Sequence, residues 1–296
     1  MIAEVRNLQT HAWRSLSANN VAKLSALFIA IVSTLGLLAP WIAPYRFDQQ
    51  FMDQVLVSPS SAHWLGTDSL GRDMLSRLLF GARISMAVGV ITAMISLLIG
   101  TIYGSVAGWF GGWVDSIMMR AVDILDSIPS LILLILVKIV FDAADVIAHP
   151  ELKSLSGMLI ALSLVSWVSM ARVVRGQVLL VKQLAYVESA RALGASTSRV
   201  LLQHILPNIL GPVIVLLTFQ IPSNILAESF LSFLGLGLQP PYSSWGVLAS
   251  DGWRSLSSFP HLIVSPGLAI YLTMLAFNLL GDGLRDALDP QMRGRV

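Results

Sequence analysis

Six apolar stretches constrain this chain more than any other feature, because about 20 helical residues are enough to cross the hydrocarbon core of a bilayer. They span residues 24–43, 84–107, 117–141, 155–174, 208–238 and 262–280. Lipid offers no partner to a bare backbone N–H or C=O, so each stretch has to bond internally as a helix. The alternating pattern of a membrane barrel is absent. The expected fold is therefore an all-α membrane protein with six transmembrane helices. Composition agrees: 55% of the 296 residues are hydrophobic and 12% charged, and the mean hydropathy of +0.74 lies outside the range of soluble domains. The first stretch follows Arg6, Arg14 and Lys23 as a cleaved leader would, but its length and its Pro40-Trp41-Ile42-Ala43-Pro44 end fit a true span.

Lys and Arg orient the spans. With the amino terminus in the cytoplasm, twelve of the nineteen fall inside: Arg6, Arg14, Lys23, Arg120, Arg172, Arg175, Lys182, Arg191, Arg199, Arg285, Arg293 and Arg295. The largest exception is the first outer loop, with Arg46, Arg72, Arg77 and Arg83. This orientation divides the chain into a cytoplasmic tail (1–23), a six-span domain (24–283) with an outer loop (44–83) and a cytoplasmic loop (175–207), and a second cytoplasmic tail (284–296). No internal repeat suggests the inverted halves of many secondary transporters.

Several chemistries are excluded. The chain has no cysteine, hence no disulfide or thiolate metal site, and its net charge of +2 is too small and too scattered for nucleic acid. No His, Asp and Glu cluster has metal-ligand spacing, no Ser/His/Asp set can be assembled on one side of the membrane, and no glycine-rich phosphate loop ends in Lys-Ser or Lys-Thr. The expectation is no catalytic residue, no metal, no cofactor in this chain and no ATP hydrolysis by it.

The polar loop at 175–207 is unusual in a chain that otherwise prefers lipid. Leu184, Val187, Ala190 and Leu193 recur at helical spacing, Gly194 suits the left-handed position after a helix, and Ser196 or Thr197 can cap a second short helix that Pro207 ends. The surface of this helix, turn and helix is built of small residues. Two readings stay open: a docking element for a soluble protein, or an amphipathic hairpin lying on lipid.

Glu188-Ser189-Ala190, then Gly194, then Leu206-Pro207, resembles the Glu-Ala-Ala loop of the permease subunits of bacterial ABC importers, with Ser189 replacing the usual second residue. His204-Ile205-Leu206-Pro207-Asn208 is similar to the peptide and nickel branch. Three more stretches resemble the C-type subunit of that branch. They are Leu65-Gly-Thr-Asp-Ser-Leu-Gly-Arg-Asp-Met-Leu-Ser-Arg77, Phe230-Leu-Ser-Phe-Leu-Gly-Leu-Gly-Leu-Gln-Pro-Pro241 with Ser243-Ser-Trp-Gly246, and Gly281-Asp-Gly-Leu-Arg-Asp-Ala-Leu-Asp-Pro290. The resemblance implies a type I ABC importer permease in the bacterial inner membrane, with both termini cytoplasmic. Its ATPase-coupling residues would be Tyr186, Glu188, Ser189, Ala190, Arg191, Gly194, Leu206 and Pro207. Its partners would be a second permease subunit, two ATP-binding subunits that hold ATP and Mg, a periplasmic binding protein and membrane lipid. Oligopeptides are the implied cargo, with dipeptides or nickel as alternatives.

Asp123 and Asp126 sit three apart on one helix face and are candidates for the passage wall, or else pair with an arginine such as Arg120. Glu228, near Asn224 in the fifth span, is a passage candidate or a structural hydrogen bond between helices. A proton-driven secondary transporter would use these same carboxylates, but the docking loop and the missing inverted repeats speak against it. In the first outer loop, Asp68 or Ser69 can cap a helix carrying Met74, Leu75, Leu78 and Leu79, with Asp73 and Arg77 paired four apart. In the last outer loop, Tyr242, Trp245 and Trp253 fit an aromatic belt or a docking surface for the binding protein.

Overall fold

The computed structural model describes residues 18–144, 147 and 149–288. Arg6, Arg14, Arg293, Arg295 and Pro290, and with them parts of both expected tails, lie outside the described residues. Among the described residues, nine helices carry the fold: α1 (Asn20–Ile42), α2 (Met74–Phe110), α3 (Gly112–Ser127), α4 (Ser130–Ala143), α5 (Pro150–Val181), α6 (Ala185–Ala192), α7 (Thr197–Leu236), α8 (Trp245–Trp253) and α9 (His261–Leu288). Five of them are long and apolar enough to cross a membrane, and the bent pair α3–α4 passes the same test when its two helices are taken as one span.

The second span is longer than its apolar stretch. Asp73, not Asp68 or Ser69, caps α2, accepting the Ser76 N–H at 2.8 Å and the Ser76 hydroxyl at 2.7 Å. At 1.5 Å per residue, the 37 residues of α2 reach about 55 Å, well beyond the hydrocarbon. The short outer-loop helix expected around Met74 is therefore the first part of α2. Asp73 and Arg77 do not pair: Asp73 meets His63 at 2.8 Å, and Arg77 turns to Asp68 and Asp251.

The third span is broken. Ile128, ahead of Pro129, is extended (φ −86°, ψ 129°), as the proline ring requires, and α3 meets α4 at 89°. A second proline behaves differently from expectation. Pro207 does not end a helix, because α7 passes through it: the turn at Leu201–Ile205 widens to π spacing and normal α geometry resumes from Leu206. The wider turn accommodates a residue that has no N–H to donate.

Close approach of backbones holds α2 to α5. A β-carbon on Gly104 would lie 2.4 Å from the Ala171 carbonyl oxygen, and one on Gly100 would lie 2.5 Å from the Met170 β-carbon. Small residues at four-residue spacing allow this where lipid gives helices no hydrophobic reason to associate. Gly283 on Ala22, Leu288 near Gly211 and Gly108 against Arg175 gather the start of α1, the ends of α2, α5 and α9, the start of α7 and all of α6 at one end of the bundle. The loop before α2, and α8, lie at the other.

Candidate functional site

The hairpin at the first end is built by local chemistry. Helix α6 stops because Gly194 takes φ +84°. The Ala195 N–H then returns to the Ala190 carbonyl at 3.1 Å and the Gly194 N–H to the Arg191 carbonyl at 2.9 Å, the paired bonds of a Schellman cap. One face of α6 is anchored: Val187 is fully buried in a cluster with Val174, Val178 and Val181 of α5 and Val200, Ile205 and Ile209 of α7. The other face is bare. Glu188, Ser189 and Arg191 are exposed, and Leu193 is 88% exposed. Apart from the two chain neighbours, no atom of the described residues lies within 4 Å of where a β-carbon on Gly194 would stand.

One further contact ties the hairpin to its neighbours. The Arg191 guanidinium sits 5.3 Å from the centre of the Trp109 ring at the end of α2. Burial raises the pKa of the Tyr186 hydroxyl. Tyr186, Glu188, Ser189, Ala190, Arg191 and Gly194 thus form one element. Leu206 and Pro207 stand apart from it on α7, where Leu206 packs on the apolar cluster and Pro207 is exposed.

The polar span residues divide differently from expectation. Glu228 is 0% exposed, enclosed by hydroxyl donors from Ser85 of α2 at 3.1 Å and Ser232 of α7 at 2.7 Å. Ser85 in turn accepts the backbone N–H of Trp245 at 3.1 Å, so Glu228 joins α2, α7 and α8. Asn224 is buried too, accepting from the Ser166 hydroxyl at 2.8 Å. Both are buried ties between helices of this chain. Asp123 and Asp126 are exposed and bond to Arg172 of α5 at 3.0 and 2.6 Å, rather than to Arg120. Asp126 also borders a cleft of about 170 Å³ at the α3–α4 break.

At the far end, Tyr242 and Trp253 are exposed, but Trp245 is 2% exposed. Its ring packs against Gly81 and its indole N–H donates to the Leu78 carbonyl at 3.1 Å, so in this chain it is a packing residue and not part of the surface. A feature that sequence reasoning missed is the ion-pair network of Asp68, Arg72, Arg77 and Asp251, which fastens the first outer loop to α8. Asp251 is 174 positions from Arg77, and no local pattern links them.

Five apolar spans, six with the bent pair α3–α4, and an exposed hairpin seated on α5 and α7 describe a membrane-embedded helical protein. The chain belongs to the family of binding-protein-dependent transport system inner membrane components, whose model matches residues 100–294; residues 9–59 match the N-terminal TM domain of oligopeptide transport permease C. It is 44% identical to the dipeptide transport system permease protein DppC of Bacillus subtilis (strain 168) over 95% of this chain and 85% of that one. It is 43% identical to the glutathione transport system permease protein GsiD of Shigella flexneri serotype 5b over 98% of this chain and 93% of that one. In fold it is similar to the MetNI methionine ABC transporter in inward-facing conformations, with a TM-score of 0.59 at 16% identity over 73% of this chain and 98% of that one. Membership in an ABC importer permease family implies partner ATPase and substrate-binding subunits, and a multi-pass position in the membrane.

Proposed function

We propose that this chain is the C-type membrane subunit of an ATP-driven importer that moves peptides from a periplasmic binding protein to the cytoplasm. The observation that carries the proposal is the α6 hairpin, with its apolar face locked into α5 and α7 and its polar face bare around Glu188 and Gly194. A partner that pushes on α6 moves the ends of two spans at once, which is what coupling to a soluble ATPase requires. In this reading one second permease subunit and two ATP-binding subunits complete the assembly, ATP and Mg sit on those partners, lipid surrounds the spans, and the hairpin end with both termini faces the cytoplasm of a bacterial inner membrane.

Oligopeptides are the proposed cargo. The names of the two relatives, one a dipeptide and one a glutathione permease, favour short peptides as the second reading, ahead of nickel. A proton-driven carrier finds less support: Asp123 and Asp126 are both bonded to Arg172, and Glu228 is enclosed among serines. The test is reconstitution with partner subunits and binding protein in vesicles, followed by uptake of labelled dipeptides, longer peptides and nickel. Uptake should need ATP and every partner, and the purified chain alone should hydrolyse none. Hydrolysis by the pure chain, or uptake without ATPase subunits, refutes the reading.

A further inference from the structure

All three carboxylates of α3 are held by arginines of α5. Asp115, in the first turn, accepts both Nε and Nη2 of Arg175 at 2.5 Å. Farther along, Arg172 spans Asp123 and Asp126. Between these points Val122 is fully buried beside Trp167, Val168 and Ala171, and the Tyr103 hydroxyl donates to the Met118 carbonyl at 2.9 Å. Beyond Ser127 the helix ends and α4 departs at 89°. At the other extreme, α5 runs to Val181 and α6 starts at Ala185, while Lys182 donates to the Gly108 carbonyl at 2.7 Å.

Resting on the importer reading above, we infer that α3 follows α5 when α6 is pushed, and that Asp115 and Arg175 are the positioning pair by which motion of α6 reaches α3 and changes the cleft at the α3–α4 break. The cleft lies between Leu125, Pro129 and Leu133 on one side and Leu164 and Val168 of α5 on the other. Ile128 and Pro129 interrupt the helical hydrogen bonds, so the angle between α3 and α4 changes through a few dihedrals; an unbroken span would resist the same change with its whole ladder. Asp115 and Arg175 lie partly shielded from solvent and bond through two atoms each, so the pair fixes orientation as well as distance.

The experiment uses the assembled complex in vesicles and reads peptide taken up per ATP hydrolysed. Asp115→Asn and Arg175→Gln should each lower that ratio about tenfold, within the range of ordinary coupling energies. The double exchange Asp115→Arg with Arg175→Asp should return it to within about threefold of the starting value. Yield and co-purification of the ATPases report assembly. A wild-type ratio in the single variants overturns the inference, as does an exchange that restores assembly without restoring the ratio, because the pair would then support only the fold. A second readout does not need the cargo. The chain has no cysteine, so spin labels at Ile117→Cys and Leu136→Cys report the angle between α3 and α4. ATP binding by the complex should shift that distance, and Asp115→Asn should abolish the shift; an unchanged shift overturns the inference even if peptides prove to be the wrong cargo. Vesicles that show the shift but take up no peptide overturn the cargo alone.

Discussion

A side chain at Gly194 separates two demands that the hairpin makes of one residue. The φ of +84° costs an L-residue about 1–2 kcal/mol in the left-handed region, while asparagine tolerates it best. Because a β-carbon there meets nothing within 4 Å, the cost within this chain is conformational and not steric. A penalty of that size lowers the ratio of correct to incorrect turns by a factor of about 5–30. The apparent affinity for the ATPase follows the competent fraction and falls by at most the same factor. Gly194→Asn should therefore stay closest to wild type, and Gly194→Ala should lose more, up to the roughly 30-fold ceiling set by the turn. Gly194→Leu should lose more than Gly194→Ala, since its branched side chain also occupies the open space beside Leu193 that the partner needs. The assay titrates ATPase subunits against the chain in lipid nanodiscs, reading bound ATPase, and pairs this with ATP-driven uptake in vesicles. Equal binding and transport by all three variants would refute the coupling role and leave α6 as a hairpin on lipid. Leu and Ala variants that match each other, both below Asn, would refute the partner contact and keep the turn argument.

Reporters fused after Ser196 and at Ser244 should lie on opposite sides of the membrane, since only α7 separates them; finding both on one side removes the six-span topology. Trp245→Ala should destabilise the solubilised protein by about 3–5 kcal/mol, as for other buried aromatic truncations. Trp253→Ala, at a side chain 56% exposed, should stay within about 0.5 kcal/mol. Thermal unfolding checks both, and equal effects would mean that α8 is not seated as described. Glu228→Gln should retain uptake, because the amide can still bond to Ser85 and Ser232, whereas Glu228→Leu orphans those hydroxyls at about 1–3 kcal/mol. Loss of uptake by a stable Glu228→Gln complex would show that the carboxyl itself is needed.

Much of the fold was legible because its signals are local. Runs of apolar residues long enough for a bilayer specify helices, and six crossings follow from them. The hairpin was legible for the same reason: Gly194 ends α6 as its position after Leu193 suggested. Even so, local rules misplaced boundaries. Asp68, Ser69 and Asp73 all offer a cap, and only the folded outer loop assigns Asp68 to arginines and leaves Asp73 to α2. Pro207 reads as a stop, yet a π turn carries the helix past it.

The ties between distant elements were decided by tertiary structure alone. Asp115 finds Arg175 across 60 positions and Arg77 finds Asp251 across 174, pairings on which helical periodicity is silent. The buried places of Trp245, Asn224 and Glu228 were hidden for a second reason. In water, hydropathy separates the inside of a protein from its surface, but in a bilayer the lipid-facing side of a helix is as apolar as the side that packs on its neighbours. The sequence alone therefore determined which segments enter the membrane and where the hairpin turns; which faces meet each other depended on close packing, such as that of Gly104 on Ala171, which exists only once the helices are assembled.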